Sequence, residues 1–511
     1  GAAVLAGVLW GMQRLVAFIA GRMGECSLWY PLTLLPSLCF FILLCDENYL
    51  LSGALSACMV LGAVAGYTCI FNPVVRRISL WAGIPVLYML AGGCAWLFIP
   101  LALMVEFWRF GTKHSSLWLP AGGAILVAGV TIWASRWLFP YPMDRLLWGI
   151  GSYRFPLFFP KAQVIAWIAL VLVSPLVARL PGKITRGRYV VALTGQFLLM
   201  LLAMNLLGKR SIAMNKEAVM AYDYHVRMQD WDGIIALAGK KLPDTPMAVS
   251  CLNLALGMKG QLADRMFHYR QRGKEGLFMS FVNDFTIPLV AAEPYYYLGM
   301  VNTAQQLVFE AMEAIPDYQK SVRCFKRLAE TNLINGRYEV AGKYLRILQH
   351  TLFYKDWATE MLACMDDEAR IDAHPEYGRL RKLTLQTDLF FNPAEPEMTL
   401  SLLLQANPEN RMAYEYLMGI TLLKKDMGRF VHYYPLGEKL GYRSIPKSYQ
   451  EALLFGWSMQ KHTPGEEIPW KINRETGERL REYARIYTST RSEEALAPRF
   501  GDTYWFYVHF R

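Results

Sequence analysis

Charge is distributed very unevenly along this 511-residue chain. Residues 1–208 carry 14 Lys and Arg against 5 Asp and Glu, whereas the 303 residues that follow carry 39 against 37. So few charged side chains cannot clothe a water-soluble surface, so the two parts must fold in different solvents. Together with a hydrophobic content of 54%, this excludes a disordered chain, a small disulfide scaffold and a single soluble domain. The nine cysteines are an odd count without a C-x-x-C pair, and they read as small hydrophobes.

The first part breaks into seven apolar segments, approximately 1–20, 28–45, 50–70, 80–105, 117–138, 164–180 and 189–207. Their lengths suit helices that cross roughly 30 Å of hydrocarbon. The run from Ala121 to Val130, Ala-Gly-Gly-Ala-Ile-Leu-Val-Ala-Gly-Val, lacks the polar face that a soluble helix needs. The expected fold is therefore all-α: a polytopic transmembrane helix bundle over 1–208 and a TPR-like α-solenoid over 209–511. Because the chain opens inside an apolar run without an initiator methionine, further residues are expected ahead of Gly1.

Trp29, Tyr30, Trp81, Trp108, Trp118, Trp137 and Tyr141 fall near segment ends, where amphipathic rings anchor at the headgroups. Gly62, Gly66, Gly92, Gly93, Gly122 and Gly123 are expected to let helices approach closely. Arg14 and Arg136 lie within spans but within snorkelling reach of an interface. Basic residues favour the cytoplasmic side. Strict alternation then puts Arg22 and Arg76-Arg77 inside, Asp46 and Glu47 outside, and Arg136, Arg145, Arg154, Lys161 and the chain after Leu207 inside. The same alternation leaves Arg179, Lys183, Arg186 and Arg188 outside, a conflict that keeps the side of the C-terminal part open.

After Lys209, apolar residues recur at helical spacing between Gly, Pro and Asn turns. From Ile287 to Pro316 the pattern fits a tetratricopeptide unit, with Tyr295 in the first helix, Gly299 at the turn, Ala304 and Ala311 at small positions and Pro316 at the close. A second unit follows with Phe325, Leu328, Ala329, Gly336, Ala341, Tyr344 and Leu345 in the matching places. Weaker copies surround Asp230, Leu254–Ala263 and Asn407–Leu417. A solenoid of this kind offers a groove lined by first helices, and in this register Glu293, Tyr296, Arg323, Lys326, Glu330 and Glu415 point outward into it. Mixed charge with aromatic rings suits a protein or peptide partner, whereas a near-neutral C-terminal part argues against nucleic acid.

The runs Leu44-Cys-Asp-Glu-Asn-Tyr-Leu-Leu51, Met258–Phe267, Phe309–Pro316, Lys326–Gly336 and Phe500-Gly-Asp-Thr-Tyr-Trp505 give the whole chain a resemblance to an uncharacterised family of bacterial multi-pass membrane proteins with a C-terminal helical-repeat region. The resemblance implies an inner-membrane location and a further hydrophobic segment and extracytoplasmic loop ahead of Gly1, but no functional residue. Walker, G-x-G-x-x-G, G-x-S-x-G and H-E-x-x-H motifs and zinc or haem spacings are missing from the sequence, so no cofactor is expected. The expected function is a membrane-anchored scaffold or adaptor, in contact with lipids and part of a membrane complex. The alternative is a polyprenyl-lipid-dependent glycosyltransferase-like enzyme with its acidic site at Asp46 and Glu47, adjacent carboxylates suited to metal binding or acceptor deprotonation.

Overall fold

The computed structural model describes residues 2–21, 28–45, 51–111, 116–139, 142–148, 161–180, 186–211, 214–282, 286–315, 320–365, 367–385, 391–460 and 467–511. Among these residues every regular element is a helix, with no strand beyond one isolated bridge between Arg272 and Lys274. It forms two compact units, Gly1–Met214 and Asn215–Arg511.

The first unit contains α1 (Ala2–Ile19), α2 (Leu35–Leu43, preceded by a 3-10 turn over Tyr30–Leu34), α3 (Leu51–Thr68), α4 (Pro73–Ala91), α5 (Phe98–Trp108), α6 (Trp118–Leu138), α7 (Met143–Trp148), α8 (Lys161–Arg179) and α9 (Arg186–Ser211). Four helical stretches are long and apolar enough to cross a membrane: Ala2–Ile19, Leu51–Thr68, Pro73–Trp108 and Trp118–Leu138. Large apolar side chains such as Trp118, Ile125, Leu126 and Trp137 are exposed on α6, and Ile165, Leu172 and Leu176 on α8, an outer surface suited to hydrocarbon.

The segment expected as one span over 80–105 is two helices. The Asn72 side chain accepts the Val74 and Val75 N–H groups and Pro73 occupies the first turn, so α4 starts earlier than the apolar run. It stops at Gly92, whose φ of +57° a side chain would resist, and a 3-10 turn over Gly92–Leu97 leads into α5. Had residues 76–106 stayed one straight helix, Arg76 and Glu106 would stand ~45 Å apart. Instead their side chains meet at 2.7 Å, so α5 runs back along α4.

Other expectations also change. Trp81 is not an end anchor; it sits within α4, its Nε1 donating to the Pro120 carbonyl at 3.3 Å. Of the six glycines, Gly123 lies against the Trp81 indole, where a Cβ would come within 2.6 Å, while Gly62, Gly66 and Gly122 have nothing within 4 Å. Gly83, not singled out in the sequence, faces the Phe98 ring. Arg76 is buried in α4 instead of free in a loop, whereas Arg14 and Arg136 are exposed on helix surfaces.

The second unit is a succession of helices: α10 (Met214–Arg227), α11 (Trp231–Lys240), α12 (Pro246–Met258), α13 (Leu262–Arg265), α14 (Ile287–Leu298), α15 (Val301–Glu313), α16 (Val322–Ile334), α17 (Tyr338–Leu348), α18 (Lys355–Cys364), α19 (Glu368–Ala373), α20 (Tyr377–Leu383), α21 (Pro396–Ala406), α22 (Arg411–Leu423), α23 (Met427–Tyr433), α24 (Lys447–Ser458), α25 (Arg474–Thr490), α26 (Glu493–Phe500) and α27 (Tyr504–Phe510). The two best sequence units are helical hairpins. Gly299 ends α14 in the left-handed region at φ +95°, and Gly336 separates α16 from α17 at φ +67°. Tyr295, Ala304 and Ala311 are buried in the first hairpin, and Leu328, Ala329, Ala341 and Leu345 in the second, where the Phe325 and Tyr344 rings meet across the pair at 5.6 Å. Pro316 lies outside the described residues.

Candidate functional site

The register that places Glu293, Tyr296, Arg323, Lys326, Glu330 and Glu415 at outward positions does not leave them on an open surface. Glu293, Tyr296, Glu330 and Glu415 are buried, at 5%, 0%, 4% and 1% exposure. For Tyr296 and Glu330 the reason is α20, which lies over α14 and α16. Tyr377 on α20 donates to Glu330 at 3.4 Å, Arg381 donates to the Leu333 carbonyl at 2.8 Å, and Leu383 stands against Gly299. Just before α20, Glu376 accepts the Tyr296 hydroxyl at 2.8 Å and the Gln229 amide at 2.7 Å. The chain thus covers with its own segment the face of α14 that the sequence pattern leaves free.

Beside this covered face is a cleft of about 400 Å³ that brings together four of the six residues. Glu293, Arg323, Lys326 and Glu330 line it with Arg227 and Arg327, and Leu289, Val308, Met228 and Phe353 supply apolar wall. Tyr296 lies beneath Arg327, whose guanidinium carbon is 3.7 Å from the ring centre. Glu415 is elsewhere, on α22, with Arg411 at 2.8 Å and the Tyr442 hydroxyl at 3.2 Å.

The cleft is organised around Arg327. On α16, Arg327 and Glu330 are one turn apart, so their side chains share a face, and α14 brings Glu293 to the same point. Arg327 bonds Glu293 at 2.7 Å and Glu330 at 2.9 Å. Lys326 reaches the other Glu330 oxygen at 2.7 Å and stands 5.1 Å over the Trp357 ring. Arg323 holds Asp223 of α10 through two bonds of 2.7 and 2.9 Å. Burial would raise the Glu330 carboxyl, but Arg327 and Lys326 outweigh it and hold it below the usual carboxylate range. Burial likewise opposes the Arg327 charge, and Glu293 and Glu330 outweigh it. Arg327 and Glu330 therefore stay charged near neutrality, a rigid pattern of fixed charge that can orient a polar partner.

Arg327, Asp223 and Tyr377 were not singled out in the sequence. Nothing in a 34-residue pattern marks them, since their partners come from helices far along the chain. Arg76 and Glu106 were also missed as a pair, although a lone acid within an apolar stretch is a signal that it has a cationic partner.

Asp46 and Glu47 lie outside the described residues. Among the described residues no group of three His, Cys, Asp or Glu is placed to hold a metal ion. Comparison with known proteins gives one match to a family model, that of DUF6057, a family of unknown function, over residues 1–511. No curated protein and no solved structure matches.

Proposed function

We propose, for a chain that belongs to the DUF6057 family of unknown function, that it is a multi-pass protein of the bacterial inner membrane whose C-terminal unit is a TPR-like scaffold docking a protein or peptide partner. The observation that carries this reading is the cleft around Arg327, in which a buried charge network is flanked by exposed apolar wall. Phe353 is 87% exposed and Met228 60%, an amount of open apolar surface that association with a partner would cover. Arg227 lines the same cleft without an ion-pair partner among the described residues, which favours a partner segment bearing a carboxylate. The apolar outer faces of α6 and α8 support contact with membrane lipid, and the tandem hairpins α14–α15 and α16–α17 support the repeat assignment.

Photo-crosslinking in the native membrane tests the docking site. A photoreactive residue in place of Phe353 is expected to give one dominant adduct, weakened by Arg227→Glu, while the same residue in place of the exposed Leu242 on the C-terminal side of α11 gives none. The same faint adducts from both positions, insensitive to Arg227→Glu, would remove the cleft as a docking site.

A further inference from the structure

The helix ends of the first unit are fixed relative to one another by named contacts. At one end, Tyr67 of the last turn of α3 donates to Glu106 at 2.8 Å, Glu106 of the last turn of α5 binds Arg76 of the first turn of α4, and Arg179, the last residue of α8, stands 5.6 Å from the centre of the Phe107 ring. At the opposite end, Cys94 of the turn after α4 lies 3.8 Å from the Gly53 carbonyl of the first turn of α3. There too the Leu146 and Leu147 carbonyls, which follow α6, accept the Tyr88 hydroxyl and the Trp96 Nε1–H.

Basic residues divide unequally between these ends. Arg76, Arg77, Arg109 and Arg179 belong to the first, and Lys113, Lys183, Arg186 and Arg188 follow Arg109 and Arg179 closely in sequence. The second end has Arg136, near the end of α6, with Arg145, Arg154 and Lys161 in the chain that follows it, eight against four in the short connections, and Lys209 and Arg210 close α9 ahead of the second unit. Since Lys and Arg of short connections stay in the cytoplasm, the end with Arg76 and Arg179 is the cytoplasmic one. The α4–α5 hairpin changes the parity left by strict alternation, leaving Arg136, Arg145, Arg154 and Lys161, the smaller group, on the other side. It adds one traverse, so that Arg179 falls on the same side as Arg76.

The consequence concerns the second unit. Helix α9 begins seven residues after Arg179, is 26 residues long, and is tied into the bundle by Gln196, which donates to the Leu28 carbonyl at 3.0 Å. Its apolar stretch, Tyr189–Leu202, is shorter than the four spans above, but the whole helix at ~1.5 Å per residue is ~39 Å long, enough to carry the chain from the cytoplasmic end to the other side. We infer that the C-terminal unit lies on the extracytoplasmic side of the membrane, and that the occupant of its cleft is a protein segment exposed there. The choice of occupant rests on the docking reading above; the side does not.

Labelling with a membrane-impermeant amine reagent on spheroplasts that contain the full chain tests the placement, with modified lysines identified by mass spectrometry. Lys240, Lys343 and Lys355 are exposed in the second unit. They are expected to label to the same extent before and after lysis, whereas Lys183, four residues after Arg179 in the sequence, labels only after lysis. The reverse pattern, with Lys240, Lys343 and Lys355 protected until the membrane is opened, would overturn the inference. The measurement needs no partner, so a failed crosslink at Phe353 leaves it intact, and a reversed labelling pattern leaves the crosslinking result to be read on the cytoplasmic side.

Discussion

The Arg76 guanidinium holds the Glu106 carboxylate through two hydrogen bonds, of 2.7 Å from Nε and 3.1 Å from Nη2, across 30 residues of an otherwise apolar stretch. The remaining Arg76 donor goes to the Ile70 and Phe71 carbonyls, and its face lies 3.6 Å from the Phe110 ring centre. Such a pair closes the base of the α4–α5 hairpin. An unpartnered charge left in its place would cost more than the pair gives.

Removing one member is therefore predicted to be worse than removing both. Glu106→Ala leaves a buried cation and should destabilise the first unit by ~3–5 kcal/mol, whereas Arg76→Met with Glu106→Leu should recover much of the loss. Thermal denaturation of the purified protein in detergent, followed by size-exclusion chromatography, reads both. Equal losses in the single and double variants would count against a buried pair.

Arg327 is expected to matter in the same way for the second unit. Arg327→Met leaves Glu293 and Glu330 facing each other and should cost ~3–5 kcal/mol at neutral pH. In the native protein the Glu330 carboxyl sits below its ordinary value of 4.5, so its contribution is present above that value and fades as pH falls through the lower folded one. In the variant the sign reverses, because the facing carboxylates are relieved by protonation. The native protein should thus lose this contribution on acidification below about pH 4.5, while Arg327→Met loses less or gains, so that the gap between their thermal melts narrows across that range.

Glu451 provides a pH dependence of opposite sense. It is 1% exposed on α24, where one carboxylate oxygen accepts the Tyr504 N–H of α27 at 2.8 Å. Burial pushes its carboxyl from 4.5 up to about 7. A group raised on folding stabilises most below its unfolded value, and that stability is lost as pH rises through the folded one. The second unit should lose up to ~3 kcal/mol between pH 4.5 and 8 from this residue. Glu451→Gln should flatten that slope and raise the melting temperature at pH 8.

Gly299 is predicted to tolerate no side chain. At φ +95° an added Cβ would also lie 2.7 Å from the Leu383 Cβ and 2.9 Å from its carbonyl oxygen. Gly299→Ala should destabilise by ~1–3 kcal/mol through backbone strain, and by more where α20 has to shift. Gly336→Ala, with nothing within 4 Å, carries the strain alone and should cost less.

The all-helical class and the division into an apolar and an ordinary part were legible in the sequence because both follow from composition and period, which are local properties. The hairpins at Gly299 and Gly336 were legible for the same reason: a turn glycine flanked by helical apolar spacing needs no distant information. Three things were decided only by tertiary structure. An apolar run over 80–105 does not reveal whether it goes straight or folds back, because Gly92 tolerates both until Arg76 finds Glu106. Helical register put Glu293, Tyr296 and Glu330 at outward, groove-lining positions but could not show that α20 covers Tyr296 and Glu330. The Arg327 network, finally, joins residues from α14 and α16, with Arg323 reaching α10, and side chains so far apart in sequence become neighbours only once the helices have packed.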